Sequence, residues 1–390
     1  MDDRLKTGSI AFGVAAALYA FLSSPTPDTP GIVEGLIIAL LLVVPVCGGV
    51  TLNTPWAKPL LILLGYGASI PVMTGLFNGA SAGDMARDLV AFAALGLPVL
   101  LTALCARQPR LLLFILVGIG LVFSLRYLAS PDMVLMALAT GPFDERLLYL
   151  ANSPLVFFAA LWLLLQGSFA EKKWPLAVLY MALSLIPMAA MAGMMQRATL
   201  TLLVTTWICG LVYTLVKEPA RGVALLGVAV ICVLALWAVL GELVSNLVLK
   251  TQMVGLNARA EEWRAIFAQI DQDFLSAAFG RGWGALMQSP AVADEWVRFS
   301  HSLLSAMLWK GGWIGLILTV ASIGALILYA LRRTHGQAVT VLALVIALIP
   351  ACFLYGSYKS LCFGLLLTGL AALPLDKQGQ AVLTTRDQNA

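Results

Sequence analysis

Residues 110–129 read Arg-Leu-Leu-Leu-Phe-Ile-Leu-Val-Gly-Ile-Gly-Leu-Val-Phe-Ser-Leu-Arg-Tyr-Leu-Ala. Between Arg110 and Arg126 no charge interrupts the run, and its apolar residues do not alternate with polar ones. A run of roughly 20 such residues matches a helix crossing a hydrocarbon layer ~30 Å thick. A barrel strand would be shorter and would alternate. Working outward, comparable runs recur near 8–24, 31–50, 57–77, 88–106, 153–170, 174–194, 198–216, 221–243, 311–331, 338–355 and 357–374, so about twelve spans are expected. Residues 1–24 begin like a signal peptide, with Arg4 and Lys6 before an apolar run, but no small-x-small site follows. A retained first helix is the expectation.

Composition agrees. Of 390 residues, 61% are hydrophobic and 11% charged, against roughly 25% charged in an ordinary soluble domain. With lipid as solvent, every backbone polar group needs an internal partner, which leaves helices as the spanning element. The expected fold is all-α: a single transmembrane domain over 1–390, with a long loop over 244–310 inserted between the ninth and tenth spans. The six cysteines (Cys47, Cys105, Cys209, Cys232, Cys352 and Cys362) fall within or at the ends of apolar runs with no CxxC spacing. They read as small packing residues, not as a disulfide framework or metal site.

The 24 basic residues divide by side. With the N-terminus inside, thirteen of them occupy the cytoplasmic face: Arg4, Lys6, Lys58, Arg107, Arg110, Lys172, Lys173, Lys217, Arg221, Arg332, Arg333, Lys377 and Arg386. Short outer loops such as Ser23–Pro30 carry none. The positive-inside rule then puts both termini in the cytoplasm. The remaining eleven are Arg87, Arg126, Arg146, Arg197, Lys250, Arg259, Arg264, Arg281, Arg298, Lys310 and Lys359, all at outer loops or outer helix ends. Five lie between Lys250 and Arg298, in a loop far longer than most connections.

Within that loop, Asn257 is placed to cap a helix continuing to about Ala277. Glu261 and Glu262 fall in its early turns, where acids favour the helix dipole. Leu256, Trp263, Phe267, Ile270 and Phe274 would share one face, which predicts an amphipathic helix lying in the membrane interface.

Several residues here suit anion or proton chemistry. Arg197 follows Gly193-Met-Met-Gln at the outer end of a span, as a headgroup anchor or as a fork of donors for phosphate. Arg259 opens the interfacial helix, where a cation opposes the dipole and local stability does not explain it. An anionic ligand would explain it. Arg264 lies off that face and can instead pair with Glu261. Gly280-Arg281-Gly282-Trp283-Gly284 is either a nest of N–H groups for an anion or a plain turn. His301 lies at the outer surface before the tenth span and can take a proton from a hydroxyl near neutral pH. Asp294 and Glu295 are carboxylate alternatives, and His335, in a basic cytoplasmic loop, reads as solvated.

In chain order, an arginine after a span (Arg197), Arg-x-x-x-Trp (Arg259 to Trp263), Gly-x-Gly-x-Gly (280–284), His301-Ser302 and Lys310-Gly-Gly-x-x-Gly315 together resemble the O-antigen ligase family, relatives of the O-antigen polymerases. Residues 190–320 carry the resemblance. Family members typically have His-Asn where this chain has His301-Ser302. The resemblance implies a GT-C-like glycosyltransferase fold in the bacterial inner membrane, with a periplasmic active site. It implies a glycan donor linked to undecaprenyl diphosphate, lipid A–core as acceptor, and inverting transfer without metal, cofactor, nucleotide or nucleic acid. It makes His301 and Arg259 catalytic, and Arg197 a holder of the diphosphate. Arg264, Arg281, Gly282 and Lys310 complete the expected substrate-binding set, with membrane lipids around it.

Three rivals remain. An O-antigen or exopolysaccharide polymerase shares the donor, but would carry a second arginine-rich outer loop where Ser130–Asn152 has only Arg146. A protein O-oligosaccharyltransferase is another relative. A multi-span transporter would mark its pathway with charges deep in spans, where Glu34, near the outer end of its helix, is the only acid.

Overall fold

The computed structural model describes residues 3–25, 31–130, 145–235, 241, 245, 248, 258–290, 295–298, 300–334, 336–353 and 356–373, with only the backbone of Arg259. Leu256, Asn257, Asp294 and His335, to which the sequence assigned roles, lie outside these residues. The helices in chain order are α1 (Asp3–Phe21), α2 (Ile32–Gly48), α3 (Ala57–Phe77), α4 (Ala82–Ala93), α5 (Leu97–Arg107), α6 (Pro109–Leu128), α7 (Glu145–Ala151), α8 (Pro154–Leu165), α9 (Trp174–Gly193), α10 (Arg197–Lys217) and α11 (Pro219–Ala235). There follow α12 (Ala258–Ile270), α13 (Phe274–Phe279), the strands β1 (Met287–Ser289) and β2 (Glu295–Val297), then α14 (Leu303–Arg332), α15 (Ala338–Phe353) and α16 (Leu361–Ala372).

The protein is a helical multi-pass membrane protein. Among the described residues, seven helical stretches are long and apolar enough to cross a bilayer: Ala57–Phe77, Ala82–Arg107, Pro109–Leu128, Arg146–Ala170, Trp174–Gly193, Arg197–Lys217 and Leu303–Arg332. Each of the other expected spans also contains a helix, though α2, α15 and α16 are shorter apolar ones. In α16 every residue from Cys362 to Ala372 is buried. A helix of 12 residues that is apolar all round is a core element walled by other helices.

By its internal contacts the chain divides into two compact units. The first comprises Met1–Ile119, Ser153–Leu155 and Asn257–Ala390, and the second Gly120–Asn152 and Val156–Leu256. In the second, Trp207 donates to Ser168 Oγ at 3.1 Å and Arg221 to the Ser168 and Glu171 carbonyls at 3.0 Å, tying α10 and α11 to the end of α8.

The loop before α14 is folded, but differs from the expected single helix. The helix stops at Ile270, and Asp273 starts a new one by accepting from Ser276 N at 2.8 Å and Ser276 Oγ at 2.7 Å. The break comes from Asp271-Gln-Asp273, whose last side chain caps better than it continues a helix. The buried face also differs. Glu262, Ile266 and Ile270, four residues apart, are buried, while Phe267 is exposed and Phe274 is 81% exposed. Ile266 and Ile270 pack with Met287, Leu308 and Trp309 into a small core. Trp263, Phe267 and Trp313 form a half-open aromatic row beside it.

A glycine joint anchors this subdomain to the spans. The long helix α14 is two helices meeting at Gly312, whose φ of 63° is outside the helical range. The bend frees carbonyls, and the 280–284 turn takes them: Arg281 N donates to Trp309 O at 2.8 Å and Gly282 N to Lys310 O at 3.0 Å. Gly282, at φ +84°, lies so close to Gly75 of α3 that no Cβ fits between them. Pro71 in α3 has no N–H, so the Gly67 carbonyl one turn earlier lacks its helical donor. The Trp283 indole fills that vacancy, donating Nε1–H to Gly67 O at 2.6 Å. Trp283→Phe should therefore cost about 1–3 kcal/mol, the penalty of a buried acceptor left unpaired. Thermal unfolding in detergent measures it, and an unchanged midpoint would show that the indole bond contributes nothing.

Candidate active site

His301 stands just before α14, where Ser302 caps the helix by accepting from Ser305 N at 3.1 Å. Its ring is half exposed, at 44% of the side chain, while the Glu262 side chain beside it is 2% exposed. Glu262 Oε1 lies 3.1 Å from His301 Nδ1, Oε2 accepts from His301 N at 3.2 Å, and Ser289 Oγ donates to Oε1 at 3.3 Å. Three donors thus converge on one buried carboxylate, which satisfies the rule that buried charge is paired. An acceptor facing Nδ1 fixes the proton there. Nε2 is left with its lone pair, the arrangement a general base needs.

The sequence reading assigned Glu262 only to the helix dipole. The signal it missed was register: Glu262 stands four and eight residues before Ile266 and Ile270, an acid on the protein-facing stripe. Arg259 opens the same helix, one turn before Glu262. Arg264 is exposed. Glu295, the carboxylate alternative to His301, is an exposed residue of β2 paired across the hairpin with Ser289.

The glycine turn is occupied by the chain itself. Gly280 N donates to Ser276 O, Trp283 N to Pro71 O at 2.8 Å, and Gly284 N to Asp88 Oδ2 at 2.7 Å, besides the bonds of Arg281 and Gly282 to α14. All five N–H groups are therefore taken, and the anion nest expected at Gly282 is a structural joint. Arg281 likewise points its guanidinium at the chain, donating to Gln269 O at 2.8 Å and Gln272 Oε1 at 2.6 Å, so it closes the C-terminal end of α12. Arg197 is the first residue of α10, in the second unit. The residue before it, Gln196, is buried and donates to Ala151 O at 2.9 Å and Asn152 Oδ1 at 2.8 Å.

Lys310 is buried. Its ammonium lies 2.7 Å from Asp88 Oδ2 and donates to Ala285 O at 2.7 Å. It lines a narrow cleft of about 30 Å³ together with Arg87, Asp88, Arg298, Tyr358 and Lys359. Arg298 pairs closely with Asp84, which Arg87 also approaches, at 3.9 Å. Sequence reasoning placed Arg87, Arg298 and Lys359 among the outer basic residues, but their separation along the chain hid the cleft.

No family model matches this chain, and no curated protein does either.

Proposed function

We propose that this chain is a glycosyltransferase of the O-antigen ligase kind, moving a glycan from undecaprenyl diphosphate to lipid A–core at the periplasmic face of the bacterial inner membrane. The observation that carries the reading is the buried Glu262 carboxylate on His301 Nδ1, which leaves Nε2 free on a half-exposed ring. The acceptor hydroxyl gives its proton to His301 Nε2 as its oxygen attacks the anomeric carbon. The new C–O bond forms as the bond to the diphosphate breaks, and the electron pair leaves with the lipid diphosphate. A single displacement inverts the anomeric carbon. Glu262 stabilises the imidazolium that forms, and Arg259 holds the charge growing on the leaving group. The expected effect of Arg259 is about 3–4 kcal/mol of preferential transition-state binding, roughly what one preorganised donor supplies.

The test is transfer by purified protein given lipid-linked glycan and lipid A–core, with and without chelator. Glycan on lipid A–core, formed equally under both conditions and reduced about 10²-fold or more by Arg259→Ala, supports the reading. Glycan lengthening on the lipid carrier would make the chain a polymerase. Flux of labelled substrate into vesicles without transfer would make it a transporter.

A further inference from the structure

Three buried serines, Ser300, Ser302 and Ser305, surround the peptide units that carry His301. Ser305 Oγ lies 2.6 Å from Ser302 Oγ and 2.7 Å from Ser300 Oγ, and Ser300 Oγ donates to Ser302 O at 3.1 Å. Each hydroxyl has one proton to give, so the direction of every bond can be counted out. Ser302 O takes two donors, Ser300 Oγ and Ala306 N, which fill its lone pairs. Ser305 Oγ, also 3.1 Å from that carbonyl, therefore gives its proton to Ser300 Oγ. Ser302 Oγ accepts from Ser305 N and donates to Ser305 Oγ. Every hydroxyl then donates once and accepts once. The ring closes on Ser302, with His301 as the link between its two ends.

Capping α14 does not require this ring. A helix N-cap needs one hydroxyl, and Ser302 supplies it. Ser300 and Ser305 add two more hydroxyls, each at a desolvation cost that the cap does not explain. A fully satisfied buried network holds one local geometry against its alternatives. What this one holds is the backbone on either side of His301. The Glu262 carboxylate grips that residue from the other side, through N and Nδ1. A half-exposed imidazole gets little support from packing, so its aim depends on the backbone beneath it.

We infer that Ser300 and Ser305 are positioning residues for His301. Their hydroxyl ring fixes the backbone at 300–302, which keeps Nδ1 on Glu262 and leaves Nε2 open. Neither serine touches the imidazole, so both act through the chain and not on a substrate. The kinetic consequence rests on the transfer reading. The placing of the imidazole proton does not.

The experiment uses the full-length protein in detergent and reads His301 directly by nitrogen NMR of isotopically labelled histidine. The chain has two histidines, so His335→Gln assigns the signals. At a pH where the ring is neutral, the unaltered protein should show the proton on Nδ1. Ser305→Ala leaves the Ser302 hydroxyl without its acceptor and Ser300 without its donor. Both tautomers of His301 should then appear, and kcat for transfer should fall about tenfold or more with KM little changed. Ser305→Cys keeps a weak donor and acceptor in the same place and should restore part of both effects. Ser300→Ala breaks the ring at its other end and carries the test if Ser305→Ala folds poorly. A tautomer change in Ser305→Ala supports the positioning role even if the unaltered protein transfers no glycan, so this inference and the transfer reading can fail separately. An unchanged tautomer in both Ser305→Ala and Ser300→Ala would overturn the inference. So would a lowered thermal midpoint with the tautomer and the kcat of folded protein unchanged, since the serines would then only stabilise the start of α14.

Discussion

Glu262→Gln is expected to lower glycan transfer by about 10²–10⁴-fold, as much as His301→Ala, while leaving the protein folded. The substitution preserves shape: with its amide oxygen in the place of Oε2 it still accepts from His301 N, and its N–H₂ in the place of Oε1 can donate to the Ser289 hydroxyl. What it removes is the charge facing Nδ1, and it presents an N–H group that favours the proton on Nε2, the tautomer that cannot accept from the acceptor hydroxyl. Loss should appear in kcat with KM little changed, since Glu262 touches His301 and not the substrate. Combining Glu262→Gln with His301→Ala should add little, because the two act as one unit. A merely structural Glu262 would behave oppositely: Gln would retain activity, and Ala would lose folded protein through the donors left unpaired, at about 1–3 kcal/mol. Transfer rates beside thermal midpoints for both variants decide between the two.

The reach of the sequence can be judged from the same residues. Helices were legible because an uncharged run of roughly 20 apolar residues has no other stable form in lipid. Boundaries slipped where the backbone bends. The tenth span was expected from 311, but α14 starts at Leu303 because the Gly311-Gly312 bend lets a first segment join the loop subdomain. The helix that opens the loop was found, and its face misread. Trp263, Phe267 and Phe274 make the larger apolar pattern, yet the protein-facing stripe is Glu262, Ile266 and Ile270, with the aromatics left half-open or exposed. Large amphipathic rings suit a membrane interface, so size alone does not tell which side faces the chain. The cationic cleft was out of reach altogether. Arg87, Arg298 and Lys359 come from separate stretches of the chain, and no local spacing joins them.

Lys310→Met should destabilise the protein by about 3–5 kcal/mol, the largest stability effect expected at any single site here. The Lys310 and Asp88 side chains are 4% and 14% exposed, so removing one partner leaves a buried charge behind. Gly284 N would remain as a donor to Asp88, but the Ala285 carbonyl would lose the ammonium that now donates to it. The strain falls on the joint between α3, the 280–284 turn and α14, which holds β1 and α12 and through them the Glu262–His301 pair. Adding Asp88→Asn should recover a large part of the loss, because the neutral amide can keep the Gly284 bond without a counter-ion. Denaturant or thermal unfolding of the single and double variants measures both effects. Transfer should fall with the folded fraction, and the kcat of the protein that remains folded should change little. A Lys310→Met protein of full stability that had lost transfer would reverse the assignment. Lys310 would then act on the substrate, as the sequence alone suggested, and the Asp88 contact would be incidental.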